Sequence, residues 1–181
     1  KNVNQTSVKK LGVLGSGLMG HGITYVSALS GIEVVMIDSS QENAEKGLSR
    51  IKDILHDSIK LGQTTQENEE KILNRITATD DYNNLQDCDL IIEAVFEDRD
   101  LKGQVTAQAE KIMDGNGIFA SNTSTLPISG LAKKSIRPEK FIGIHFFSPV
   151  HKMKLVEIIK GEKTNDETIA KAFDYVLKIR K

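Results

Sequence analysis

The chain has 181 residues, 24 of them basic and 25 acidic, for a net charge of −1. Such a length buries one ordinary core, and the even mixing of charge leaves no footprint for nucleic acid or an anionic membrane surface. No apolar run approaches the roughly 20 residues that span a bilayer, and no signal peptide is visible. The single cysteine, Cys88, rules out an internal disulfide and suits a reducing compartment as a small core residue.

"KLGVL" at Lys10–Leu14 reads as a strand that runs into "GSGLMGHG", after which small and apolar residues continue at helical spacing from Ile23 to Leu29. "IEVVMID" (32–38) is a second strand ending in an acid. Ser39 or Ser40 can cap a long amphipathic helix from Gln41, with Leu48, Ile51, Ile54 and Leu55 on its apolar face. "QENEEKILNRI", after Thr64 and Thr65, predicts another helix and completes a helical pair. "CDLIIEAV" (88–95) is a strand, Asp98 to Met113 a helix, "GIFASN" (117–122) a strand, and "PISGLA" one helical turn. Phe141–Phe147 and Leu155–Ile159 read as two buried strands, and Asp166 to Ile179 as a closing helix. Strands alternating with helices predict an α/β fold, a doubly wound, mostly parallel sheet with a helical-pair insertion. The lysine at position 1 and the closing "LKIRK" both read as cut ends, so a piece of something longer is expected.

Gly15, Gly17 and Gly20 have the spacing G-x-G-x-x-G. The triplet alone is weak, but here it follows a strand, opens a helix, and has Asp38 at the end of the next strand. In that context Gly15 permits the turn, Gly17 lets backbone approach a pyrophosphate, and Gly20 lets helix and strand pack. The helix N-terminus then meets the phosphates, which predicts a Rossmann-type site. Asp38 would accept from ribose hydroxyls and repel a 2′-phosphate; Ser39 and Ser40 follow it, with no arginine, so NAD is expected over NADP. Glu97 and Lys102 sit just past a strand end, where ligand lies in such sheets; as bare sequence they read as a solvated helix start capped by Asp98. Asn122, Thr123, Ser124 and Thr125 occupy another strand end, where a capping turn and a ligand-facing rim are equally open readings.

His145 and Glu157 are polar residues in strands that should avoid them. A carboxylate on a neighbouring strand can fix the imidazole tautomer and stabilise the imidazolium when the other nitrogen takes a proton. Oxidising an alcohol by hydride transfer to NAD requires one such base.

The stretches "GVLGSGLMGHGI", "DLIIEAVFEDRDLK", "IFASNTSTLPIS" and "GIHFFSPVHKMKLVEII" resemble the NAD-binding domain of the L-3-hydroxyacyl-CoA dehydrogenases over essentially the whole of 1–181. "GLMG", "IIEAVFED" and "HFFSPVHKMKLVEII" look most like the multifunctional α-subunits of fatty-acid β-oxidation, in which an enoyl-CoA hydratase/isomerase domain precedes the dehydrogenase. The resemblance implies oxidation of (3S)-3-hydroxyacyl-CoA to 3-oxoacyl-CoA, with His145 as catalytic base and Glu157 as its partner. It implies that Ser124 contacts the substrate's 3-oxygen beside the nicotinamide, with Asn122 on the same substrate-facing rim. Met19, Asp38, Val95, Phe96, Glu97, Lys102 and Ser148 are implied as cofactor contacts, with no metal. It further implies an oligomeric parent, with a thiolase β-subunit as a candidate partner, in a bacterial cytoplasm or a mitochondrial matrix; the fragment itself would be monomeric or weakly dimeric.

Two departures stand out. His21 occupies a position where a small residue is common, so it crowds the helix start or reaches toward the phosphates. The chain also stops before the family's C-terminal helical region, which carries much of the acyl-CoA site, so the fragment alone is expected to be nearly inactive. The rival readings are a dehydrogenase of the 3-hydroxyisobutyrate type, whose base is a lysine on a helix, and a non-catalytic NAD-binding or structural protein.

Overall fold

The computed structural model describes residues 7–181. In chain order the main elements are β1 (Lys10–Leu14), α1 (Leu18–Leu29), β2 (Glu33–Ile37), α2 (Gln41–Lys60), α3 (Gln66–Leu73), β3 (Ile76–Thr79) and β4 (Leu90–Glu93). They continue as α4 (Arg99–Glu110), β5 (Ile118–Ser121), α5 (Ile128–Leu131), β6 (Phe141–Phe146), β7 (Val156–Lys160) and α6 (Asp166–Lys178). The seven strands form one sheet in the order β3-β2-β1-β4-β5-β6-β7. All neighbours are parallel except β6 and β7.

Central parallel strands are covered on both faces and read as nearly continuous apolar runs. Leu11 and Val13 of β1 join Ile23, Ile51 and Tyr175 in one core layer, while Leu14 joins Leu85, Val105 and Phe119 on the other face. Cys88 belongs to that second layer, and burial pushes its thiol up to about 12. It is a structural residue. The helix starts are fixed by side-chain oxygens that accept from backbone N–H groups, each worth about 1 kcal/mol: Ser40 from Asn43, Thr65 from Asn68, Asp98 from Leu101 and Asn165 from Thr168. Of the two serines open from sequence, Ser40 is the cap of α2.

Two expectations need correction. The helix predicted through Ile76 ends at Leu73, and Ile76–Thr79 becomes a strand paired with β2, Val34 opposite Ile76. Its β-branched Ile76, Thr77 and Thr79 fit a pleated, half-buried edge better than a helix. The second correction concerns the final strand. It runs Val156–Lys160, lies at the sheet's edge, and leaves Glu157 and Ile159 exposed, so it is not a buried strand.

The chain leaves β1 toward β2 on one side, whereas β4 flanks β1 on the other. A crevice opens at the carboxyl ends of strands where the order reverses in this way.

Candidate active site

The glycine loop leaves β1 through Gly15, whose φ of +98° few other residues tolerate. Ser16 locks the loop to β2: its N–H and hydroxyl donate to Asp38 Oδ2 at 2.8 and 2.6 Å, and Ser39 N–H donates to Oδ1 at 2.7 Å. Burial pushes the Asp38 carboxyl up, but these hydrogen bonds outweigh it and hold it below the ordinary value. Asp38 is therefore an ionised clamp on the loop. From α2, Arg50 Nη1 donates to Ser16 O at 3.3 Å. His21 does not reach outward. Its Nδ1 donates back to Gly17 O at 2.6 Å, and burial, with Arg50 nearby, keeps the ring's pKa below its usual value. A Cβ built on Gly17 meets nothing within 4 Å, so open space stands above the backbone where a pyrophosphate would approach. The loop fits a dinucleotide.

Beside it lies a cleft of ≈ 320 Å³ lined by Met19, Val95, Glu97, Lys102, Asn122, Ser124, His145 and Ser148, among others. Most of the predicted site residues thus converge. Phe96 does not line the cleft; it is 86% exposed beside it.

His145 is on β6 and Glu157 is directly opposite on β7. The Nδ1–H of His145 donates to Glu157 Oε2 at 2.9 Å. An ionised carboxylate only accepts, so the proton sits on Nδ1 and Nε2 is left as an acceptor. The Glu157 side chain is half-exposed and that of His145, which lines the cleft, largely covered, so this is not a core pair.

The opposite wall is wired more tightly than the sequence suggests. Glu97 accepts from Thr123 Oγ1 at 2.6 Å, from Ser124 N at 3.0 Å and from Ser124 Oγ at 3.2 Å. These bonds, with Lys102, overcome burial and keep its carboxyl below the usual range. Asn122 lines the cleft, and its Oδ1 accepts from Phe146 N at 2.8 Å, which ties the end of β5 to that of β6. Lys102 is not part of a solvated helix start. It is 2% exposed, and its ammonium donates to both oxygens of Glu93, at 3.0 and 2.8 Å, and to Val95 O at 3.3 Å. Lys102 is the helix lysine that lines the cleft, where a 3-hydroxyisobutyrate-type mechanism would need its base, and its donors are committed. Asp98 is the helix cap that was expected.

Sequence reading missed Glu93 and Ser121, both fully buried at the ends of β4 and β5. The signal was available, since Glu93 is an acid inside "DLIIEAV", the same irregularity that drew attention to His145.

Fold and loop together define a Rossmann-type dinucleotide-binding domain, with a histidine–carboxylate pair on the far wall of its cleft. The chain belongs to the 3-hydroxyacyl-CoA dehydrogenase family: the family's NAD-binding domain matches residues 10–181. It is 46% identical over 174 residues to the fatty acid oxidation complex subunit alpha of Idiomarina loihiensis, covering 96% of this chain and 24% of that protein. Among solved structures, (S)-3-hydroxybutyryl-CoA dehydrogenase from Ralstonia eutropha superposes with a TM-score of 0.94 at 38% identity, over 97% of this chain and 62% of that one. The 3-hydroxybutyryl-CoA dehydrogenase of Escherichia coli K12 gives 0.92 at 32% identity, over 96% and 37%. The chain thus spans about a quarter of the length of the first of these relatives. NAD is the cofactor of this domain.

Proposed function

We propose that the protein carrying this chain oxidises (3S)-3-hydroxyacyl-CoA to 3-oxoacyl-CoA. The observation that carries this reading is the His145–Glu157 hydrogen bond, set in one cleft with Ser124 and the end of the glycine loop. Bound NAD would supply the hydride acceptor. His145 Nε2 takes the proton of the C3 hydroxyl, the O–H electron pair becomes the second bond of the C=O group, and the C3–H pair would leave with its hydrogen as hydride to NAD. Glu157 keeps Nδ1 protonated and stabilises the charged ring that results. The Ser124 hydroxyl lines the same cleft as His145, and turning its proton from Glu97 would let it hold the substrate's 3-oxygen.

The relative named above is a subunit of a complex, which supports a multifunctional, oligomeric parent; a thiolase subunit is the partner we propose. The acyl-CoA site would be completed by chain outside 1–181, and this segment alone should turn over little, because one wall cannot hold reacting atoms in attack geometry. The test follows NADH oxidation by acetoacetyl-CoA in the whole protein. Losing a general base costs roughly 10²–10⁴-fold, so His145→Gln should lower turnover by that amount with NADH affinity unchanged. Turnover of that variant near wild type would overturn the reading.

A further inference from the structure

We propose that Glu93 and Ser121 are positioning residues: a buried brace that locks the strand end carrying Val95 and Glu97 to the one carrying Ser124. This deepens the reading above and rests on it for its meaning in catalysis.

Glu93 and Ser121 are register partners on β4 and β5, both 0% exposed. Every acceptor position of Glu93 is used, where an ionised carboxylate offers about four. Oε1 accepts from Lys102 Nζ at 3.0 Å and from the Ser121 hydroxyl; Oε2 accepts from Lys102 Nζ at 2.8 Å and from Val95 N–H at 3.3 Å. Ser121 Oγ in turn accepts from Thr123 N–H at 3.2 Å. One carboxylate therefore holds the backbone on both sides of the cleft floor.

Stability does not account for this arrangement. A buried ion pair loses so much hydration that apolar residues of the same volume commonly serve folding as well or better. What the charged pair supplies is direction. The Lys102 ammonium lies between two carboxylates, bonded to Glu93 at 2.8 Å and 3.6 Å from Glu97. While Glu93 holds it, Glu97 is free to accept from Thr123 and Ser124. Neutralising Glu93 leaves Lys102 only Glu97 as a carboxylate partner, drawing Glu97 away from Ser124. The consequence appears at Ser124, which Glu93 does not touch.

The test is amide hydrogen exchange and NADH titration on the isotopically labelled chain. In Glu93→Gln, exchange at Thr123 and Ser124 should accelerate about tenfold or more while Leu11–Leu14 amides keep their protection. NADH affinity should fall roughly tenfold, the weight of one hydrogen bond to a charged group. Ser121→Ala keeps the ion pair intact and should loosen Thr123 and Ser124 to a smaller degree, which covers the case in which Glu93→Gln fails to fold. The paired Glu93→Gln/Lys102→Met variant removes the ammonium that would draw Glu97 away, so exchange at Ser124 should return toward the wild-type rate; exchange there as fast as in Glu93→Gln would overturn the role given to Lys102. Unchanged exchange at Ser124 in both single variants, or protection lost evenly across the sheet, would overturn the brace. Failure of the wild-type chain to bind NADH would count against the cofactor site itself, and the exchange measurements would still decide the brace.

Discussion

Gly20 and Gly17 stand three residues apart in one loop, yet an added methyl should do opposite things at each. A Cβ on Gly20 would lie 1.8 Å from Gly15 O and 2.6 Å from Gly15 C, well inside the closest approach that carbon makes to backbone. No flexible side chain can yield there, so α1 and the loop must part by more than an ångström. Overpacking of this kind costs up to roughly 3 kcal/mol, which for a domain of this size lowers Tm by about 6–12 °C. At Gly17 the methyl meets nothing within 4 Å, and the backbone φ of −70° suits any residue. Gly17 is also the N-cap of α1, where alanine is the poorer choice, so Gly17→Ala should cost under about 1 kcal/mol and at most about 4 °C. Its methyl would occupy the space above the loop and push a pyrophosphate off the N–H groups. Losing one hydrogen bond to a charged phosphate weakens binding roughly tenfold to a hundredfold. Thermal melts and NADH titrations of both variants read the two effects separately. Equal loss of Tm in the two variants, or wild-type NADH affinity in Gly17→Ala, would refute this account of the loop.

His145→Gln and Glu157→Gln should each lower kcat in the whole protein, and the double variant should be barely worse than the worse single one, because the carboxylate acts only through the ring; additive losses would separate them. Asp38 has a folded-state pKa below its ordinary 3.8. Its contribution to stability is therefore complete above 3.8 and is lost as pH falls through the lower folded value, so Asp38→Asn should flatten the acid limb of Tm between about pH 5 and pH 2. The same variant should narrow the preference for NAD over NADP, measured by calorimetry; equal affinities already in the wild type would dismiss Asp38 as the discriminating group.

The sheet was legible wherever strands are buried on both sides, because Val and Ile runs punctuated by glycines have few other readings. Ile76–Thr79 escaped because a four-residue, half-buried edge strand directly after a helix continues the helix's apolar spacing. The openness of β7 escaped for a related reason: "LVEII" (155–159) is apolar but for Glu157, and only the strand order shows it at the edge. The glycine loop and the histidine–carboxylate pair were readable because each combines residues close in sequence with a known chemical need. Glu93, Lys102 and Ser121 were not assembled, since their meaning lies in one side chain's four hydrogen bonds across two strands. A buried lysine at a helix start looks the same in sequence as a solvated one.

The opposition of His145 and Glu157 is a property of the backbone ladder, fixed as one of the cross-strand pairs of β6 and β7. The connecting segment between Phe146 and Val156 therefore carries little of the burden of aligning the base. Phe147 and Ser148 at its start line the cleft, and the Phe147 ring lies 4.6 Å from that of His145, so it is the exposed stretch 151–155 that can be lengthened, shortened or exchanged without touching proton transfer, provided the ladder keeps its count. A slip of one residue would turn the carboxylate to the other face of the sheet, and a slip of two would carry it about 7 Å along the strand, beyond reach of the imidazole. Tolerance in this part of the protein is thus discontinuous: wide in that exposed stretch, and close to nil in the pairing.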